Sequence, residues 1–165
     1  MAKSINFNFT DTPTASPATF SFSHPINYGQ DWRTDSDEGD ELWLTNLTAP
    51  TDKPERIRYG QTTIKDVYAN TSIDKSFYAP SRRGSKILAQ LTDVMTVTDS
   101  ADATYEVDLP ISGNIVLNVP SNALVTEAVV LTFLQRLFGT LFETDDVGAA
   151  KLKAQIRGAL KPSDL

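Results

Sequence analysis

The first two thirds of the chain alternate apolar and polar positions with a period of two. In "INFNFT" Ile5, Phe7 and Phe9 alternate with Asn6 and Asn8, and "ATFSFS" repeats the pattern with Phe20 and Phe22. The intervening "DTPTASP" has the composition of a turn, so residues 1–24 read as a β-hairpin. "ELWLTNLT" sets Leu42 and Leu44 against Trp43. "RIRYGQTTIKDVYA", "SKILAQLTDVMTVTD" and "TYEVDLPISGNIVLNVP" continue the alternation. Together they predict an antiparallel sheet over 41–119, one face covered and one wet. After Pro120 the period changes. Leu124, Val125, Ala128, Val129, Leu131, Leu134, Leu137, Phe138 and Leu141 predict a helix with Ser121 or Thr126 as its cap. Its apolar surface is wider than a surface helix needs, which points to core burial or to an obligate dimer interface. A second helix is expected from Thr144, with Asp145 and Asp146 in its first turn and Arg157 and Lys161 near its end, an order that suits the helix dipole. Strands first and helices last make an α+β fold, one domain over 1–165 with both helices within 121–161.

Composition narrows the chemistry. The 165 residues include no cysteine and one histidine, His24. That excludes disulfides, thiolate metal sites and cysteine nucleophiles, and leaves little His-based catalysis. No apolar run reaches the roughly 18 residues of a membrane span, and "MAKSINFNFTD" lacks the apolar core of a secretion signal. These features predict a soluble protein made in a cytoplasm. His24, in "SFSHPINYG", has no motif supplying a nucleophile or an orienting acid. The acidic run lacks the spacing of a calcium loop, and "RRGS" is no phosphate loop. The reading is therefore not an enzyme, with no cofactor, metal or small-molecule substrate.

Charge is distributed unevenly. The chain carries a formal net charge of -6. Yet Pro54–Lys86 holds Arg56, Arg58, Lys65, Lys75, Arg82, Arg83 and Lys86 against Glu55, Asp66 and Asp74. Just before it, "DWRTDSDEGDE" is acidic and reads as a solvated, mobile loop. If the two blocks occupy opposite faces, the fold has a negative and a positive side. Strand parity puts Arg56 and Arg58 on one face, away from Ile57 and Tyr59. Lys86, Gln90 and Thr92 share a parity with Leu88 and Val94, opposite Ile87, Leu91 and Met95. Asn114 and Asn118 point away from Ile115, Leu117 and Val119. Arg56, Arg58, Lys86, Gln90, Asn114 and Asn118 thus form a candidate RNA-binding face: cations for phosphates, amides for exposed bases. Tyr59 and Tyr68 offer rings for stacking. A merely solvated sheet face accounts for the same pattern.

The element order, with "PERIRYGQTTIKDVYANTSID", "LPISGNIVLNVP" and "TEAVVLTFLQRLFGTL", resembles the coat proteins of single-stranded RNA bacteriophages, the levivirus group. The resemblance covers most of the chain. It implies an N-terminal hairpin before a five-stranded antiparallel sheet, and a homodimer with a continuous sheet and interlocked helices, assembling into an icosahedral shell, commonly T=3. It implies a sheet face turned towards single-stranded genomic RNA, and recognition of an RNA hairpin that in some members also represses replicase translation. The location implied is the virion, assembled in the bacterial host cytoplasm. Asn114 and Asn118 fall where the family places RNA-facing residues; the other four rest on parity. The loop that surrounds symmetry axes in the family would be Thr98–Thr104. The chain is longer than typical members, with the surplus in "TDSDEGDE" and "NTSIDKSFYAPSRRG", and the acidic segment is expected to face outward. The alternative is a small dimeric binding module, or another phage structural protein, without an RNA role.

Overall fold

The period-two segments between residues 41 and 120 fold into one antiparallel sheet in the computed structural model of the chain, which describes residues 3–11, 24–141 and 150–158. Two compact units are present, Ile26–Asn122 and a second made of Met1–Pro25 with Ala123–Leu165.

The first unit opens with a one-turn helix α1 (Tyr28–Asp31). It continues through β1 (Trp32–Glu38), β2 (Glu41–Asn46), β3 (Arg56–Ile64), β4 (Gly84–Thr98) and β5 (Glu106–Pro120). Strand order equals chain order, so each strand pairs with its sequence neighbour. The sheet therefore begins at Trp32 and not at residue 41. The acidic segment read as a mobile loop is the strand β1 and the turn after it. Glu38 pairs with Glu41 across Gly39 and Asp40, and Gly39 has a φ of 51°. A two-residue hairpin led by a glycine at positive φ matches the right-handed twist of the flanking strands. That turn holds a polar segment in the ladder that its own side chains would not place there.

Register separates the two faces. Leu44, Ile57, Leu91 and Gly113 lie side by side across four strands, as do Leu42, Tyr59, Ala89 and Ile115. Among the described residues, Leu44 and Ile57 are the buried apolar side chains, at 8% and 3% exposure. The same face continues through Ile87, Leu91, Met95, Val107, Leu109 and Ile111, each at least 38% exposed. An open hollow of about 670 Å³ lies among them, bordered by Ile57, Tyr59, Leu91, Met95 and Ile111.

The sheet's two edges differ. β1 is short, charged and irregular between Thr34 and Ser36. β5 runs over 15 residues in unbroken register with β4, and carries no charge from Leu109 to Pro120.

Residues 65–83 join β3 to β4 and are built, not slack. Asp74 caps a 3-10 turn at Lys75–Phe77 by accepting from the Ser76 amide. The Tyr68 and Tyr78 rings stack 4.0 Å apart at 9°. The Ala79 amide donates to the Tyr68 hydroxyl. Gly84 permits the fold-back: a Cβ there would stand 2.5 Å from Val67 Cγ1 and 2.7 Å from the Val119 carbonyl.

In the second unit, α2 spans Glu127–Gly139 and α3 spans Ala150–Ile156. α2 starts later than the apolar periodicity. Thr126 holds the N-cap position without a capping side-chain bond, and Ser121 lies outside the helix. Leu131, Phe133 and Leu137 on α2 are exposed. Residues 3–11 carry no regular secondary structure. They are fastened by Arg136, which bonds both Asp11 carboxylate oxygens at 3.0 and 2.9 Å and stands 3.7 Å over the Phe9 ring. The expected return arm of the hairpin, with Phe20 and Phe22, lies outside the described residues. So do Thr144, Asp145, Asp146 and Lys161 of the second expected helix.

Candidate nucleic-acid interface

On the other face of the sheet, pairing assembles the sequence-predicted residues into transverse rows. Arg58 pairs with Gln90, which pairs with Asn114. Thr62, Lys86 and Asn118 form a second row. Arg56, Thr92 and Ser112 form a third. Directly paired residues of an antiparallel sheet project to the same side, so all six candidates share one face. Arg56, Lys86, Asn114 and Asn118 are exposed, while Arg58 and Gln90 are half-buried.

The acidic segment is not confined to the opposite face, as charge alone suggested: Asp37, paired with Leu42, projects there, but Glu41 does not. Glu41 and Trp43 pair with Gly60 and Arg58 on this same side. The Glu41 carboxylate takes Nε and Nη2 of Arg58 at 2.9 and 3.0 Å, and also accepts from the Trp43 indole. Arg58 stands 5.2 Å over the Trp43 ring. These bonds, Arg58 foremost, hold the Glu41 carboxyl below its ordinary range. Asp35 reaches the same face by alternation, two residues along β1 from Arg33, which pairs with Thr45. Its carboxylate accepts from the Thr45 hydroxyl and from Arg33. Those bonds, Thr45 first, lower its pKa, and the nearby charge of Arg56 adds to the effect. Two carboxylates thus temper the cations at this corner. Arg56 and Lys86 form no ion pair among the described residues.

At the other end of the face Lys53 ties the β2–β3 connection to the β4–β5 hairpin. Its ammonium bonds Asp108 at 2.9 Å, the Thr96 hydroxyl at 3.2 Å, and Glu106. The carboxylates, Glu106 first, push the Lys53 pKa well up. Lys53 is the leading cause of the depressed pKa of Asp108. Residues 99–105 link β4 and β5, so of the expected loop Thr98 is still in strand, and Tyr105 extends the link at its other end.

The two tyrosines part company. Tyr59 lies on the apolar face, and its hydroxyl is bonded to that of Tyr28. Burial, with that bond, raises its pKa to about 12. It is not available to a base on the polar face. Tyr68 belongs to the β3–β4 connection. Sequence reasoning passed over Trp43, Glu41 and Lys53; the parity of "ELWLTNLT" carried the signal for the first two, since Trp43 alternates with Leu42 and Leu44. Among the described residues no group of three or more His, Asp or Glu converges as a metal site would, and no helix is long and apolar enough to cross a membrane.

The fold is that of the subunits of phage virus-like particles. The chain is 36% identical to the subunit of the virus-like particle of bacteriophage AVE015, with a TM-score of 0.81 over 96% of this chain and 93% of that one. The virus-like particle of bacteriophage GQ-112 shares the fold at 15% identity, with a TM-score of 0.80 over 95% of this chain and 96% of that one. No family model and no curated protein sequence matches the chain. The chain belongs to the coat proteins of single-stranded RNA bacteriophages.

Proposed function

We propose that this coat protein forms a homodimer, assembles into an icosahedral shell of the T=3 kind, and packages single-stranded genomic RNA against its polar sheet face. The observation that carries the RNA reading is the pair of exposed cations Arg56 and Lys86, without an ion pair among the described residues and set on one face with Gln90, Asn114 and Asn118. Cations supply phosphate contacts, and amides read the edges of unpaired bases. Arg58, held by Glu41 and Trp43, is a scaffold for the row more than a free phosphate ligand.

The dimer reading rests on what one chain leaves exposed. Most of the apolar sheet face is open to solvent, as are Leu131, Phe133 and Leu137 of α2. Apolar surface of that extent marks an association site, and obligate dimers bury surface of this character. β5 presents a long uncharged edge fit for pairing with its own copy across a two-fold axis, while the charged, irregular β1 edge resists pairing. Such a dimer would have a continuous sheet, with apolar helices of one copy available to cover the partner's sheet.

The test is to express the chain alone in bacteria and examine the purified product by electron microscopy and RNA extraction. Closed round particles containing RNA are the expected result. A small dimer free of nucleic acid would overturn packaging and leave a dimeric binding module. Empty closed shells would keep the capsid role and refute the RNA role.

A further inference from the structure

Resting on that packaging reading, we infer that the β3–β4 connection builds a pocket for a single unpaired RNA base, at the Asn118 end of the polar face. The pocket is an open hollow of about 480 Å³, in the size range of small-ligand sites. Its floor is sheet. Ile64 and Pro120 flank Gly84 in one transverse row, and Asn118 stands in the next row beside Lys86. All of these project to the polar side. Its wall is the connection, through Val67, Tyr68 and Ile73.

The wall exists because of Gly84. Only a residue without a Cβ lets Val67 settle this close to the sheet, and that contact turns the chain back over the face. The wall is then stiffened. Arg82 stands 5.4 Å over the Tyr78 ring, Tyr78 stacks on Tyr68, and the Val67 amide donates to the Arg82 carbonyl at 2.8 Å. Tyr78 takes one face of the Tyr68 ring, so a planar ligand entering the hollow meets the other. An unpaired base has two apolar faces and a mixed polar edge. The hollow matches it with Ile64, Ile73 and Pro120 for the faces and with the Asn118 amide for the edge, while the Asp66 carboxylate holds the wall by accepting the Tyr68 amide at 3.0 Å and facing Arg82 at 3.8 Å. Lys86, paired with Asn118, stands where the attached phosphate would run. A second copy's apolar side chain would use the walls but would leave Asn118 and Lys86 without a role.

The test uses RNA-filled particles irradiated with ultraviolet light, digested with ribonuclease and trypsin, and searched by mass spectrometry for nucleotide adducts. Cleavage after Lys65 and Lys75 isolates the wall as one peptide. An adduct on that peptide is expected. Ala69→Trp, which puts an indole into the hollow from its rim, should lower that adduct about tenfold, in line with the loss of one stacking contact. Tyr68→Leu should do the same, while RNA content and adducts on the β3 and β4 peptides hold. Adducts on the strands but none on the wall peptide would overturn the pocket and leave packaging intact. So would an undiminished adduct in Ala69→Trp, or a neighbouring copy's side chain seen in the hollow by electron cryomicroscopy. Particles without RNA would overturn packaging and the pocket together.

Discussion

Glu41 grips Arg58 through both carboxylate oxygens, so the chain spends one carboxylate to fix one guanidinium on the face assigned to RNA. Releasing it changes the face's charge without touching the fold's apolar side. Glu41→Gln should raise affinity for short single-stranded RNA and steepen the salt dependence by about 0.7, the slope expected for one added phosphate contact to a single strand. Filter binding of the dissociated coat protein across a salt series measures it.

Arg56→Ala with Lys86→Ala should do the opposite. Two phosphate contacts are lost, so the slope should fall by about 1.4, with the same secondary structure by circular dichroism. An unchanged slope would mean that RNA lies elsewhere.

The apolar face should be sensitive at its one deeply buried residue on β3. Ile57 is 3% exposed, and Ile57→Ala should cost about 2–5 kcal/mol from lost burial and the cavity left behind. Urea unfolding reads this, with protein concentration held fixed because association contributes to the measured stability.

Gly84→Ala should destabilise by about 1–3 kcal/mol, the ordinary cost of overpacking. Adding Val67→Ala should recover only part of that in the same urea titration, because the Val119 carbonyl remains 2.7 Å from the new Cβ.

Lys53 gives a pH dependence with a definite sign. The folded Asp108 has a depressed pKa, so its contribution is present above the unfolded value of about 3.9 and is lost as pH falls through the folded one. The folded Lys53 has a raised pKa, so its contribution is present below the unfolded value of about 10.4 and is lost as pH rises through the folded one. Lys53→Met should therefore lower the melting temperature at pH 7, and the gap to wild type should narrow steadily below about pH 4 as Asp108 protonates.

Most of the sheet was legible because side chains on its strands alternate. Parity alone gathered Arg56, Arg58, Lys86, Gln90, Asn114 and Asn118, and the register brings them to one face. β1 was not legible. Trp32–Glu38 has polar side chains on both parities, and its strand conformation is imposed by pairing with β2 through the Gly39 turn. The "GD" dipeptide between Glu38 and Glu41 was the available signal, hidden among carboxylates. The charge balance of the face was illegible for the same reason: without β1 as a strand, nothing brought Asp35 to Thr45. The β3–β4 connection looked like surplus length. Its order comes from ring stacking and a backbone approach at Gly84, neither of which leaves a periodic trace.

The unequal edges of the sheet carry a consequence for valency. A strand edge that accepts a copy of itself will, on a sheet with two such edges, propagate without limit into ribbons. Here the bulge between Thr34 and Ser36, with its neighbouring carboxylates, makes β1 a terminator, and β5 is left as a monovalent joint. In the proposed dimer, pairing through β5 satisfies both copies and leaves blunt ends outward, so edge-to-edge growth would stop at two and further growth would fall to surfaces whose geometry can curve into a closed shell.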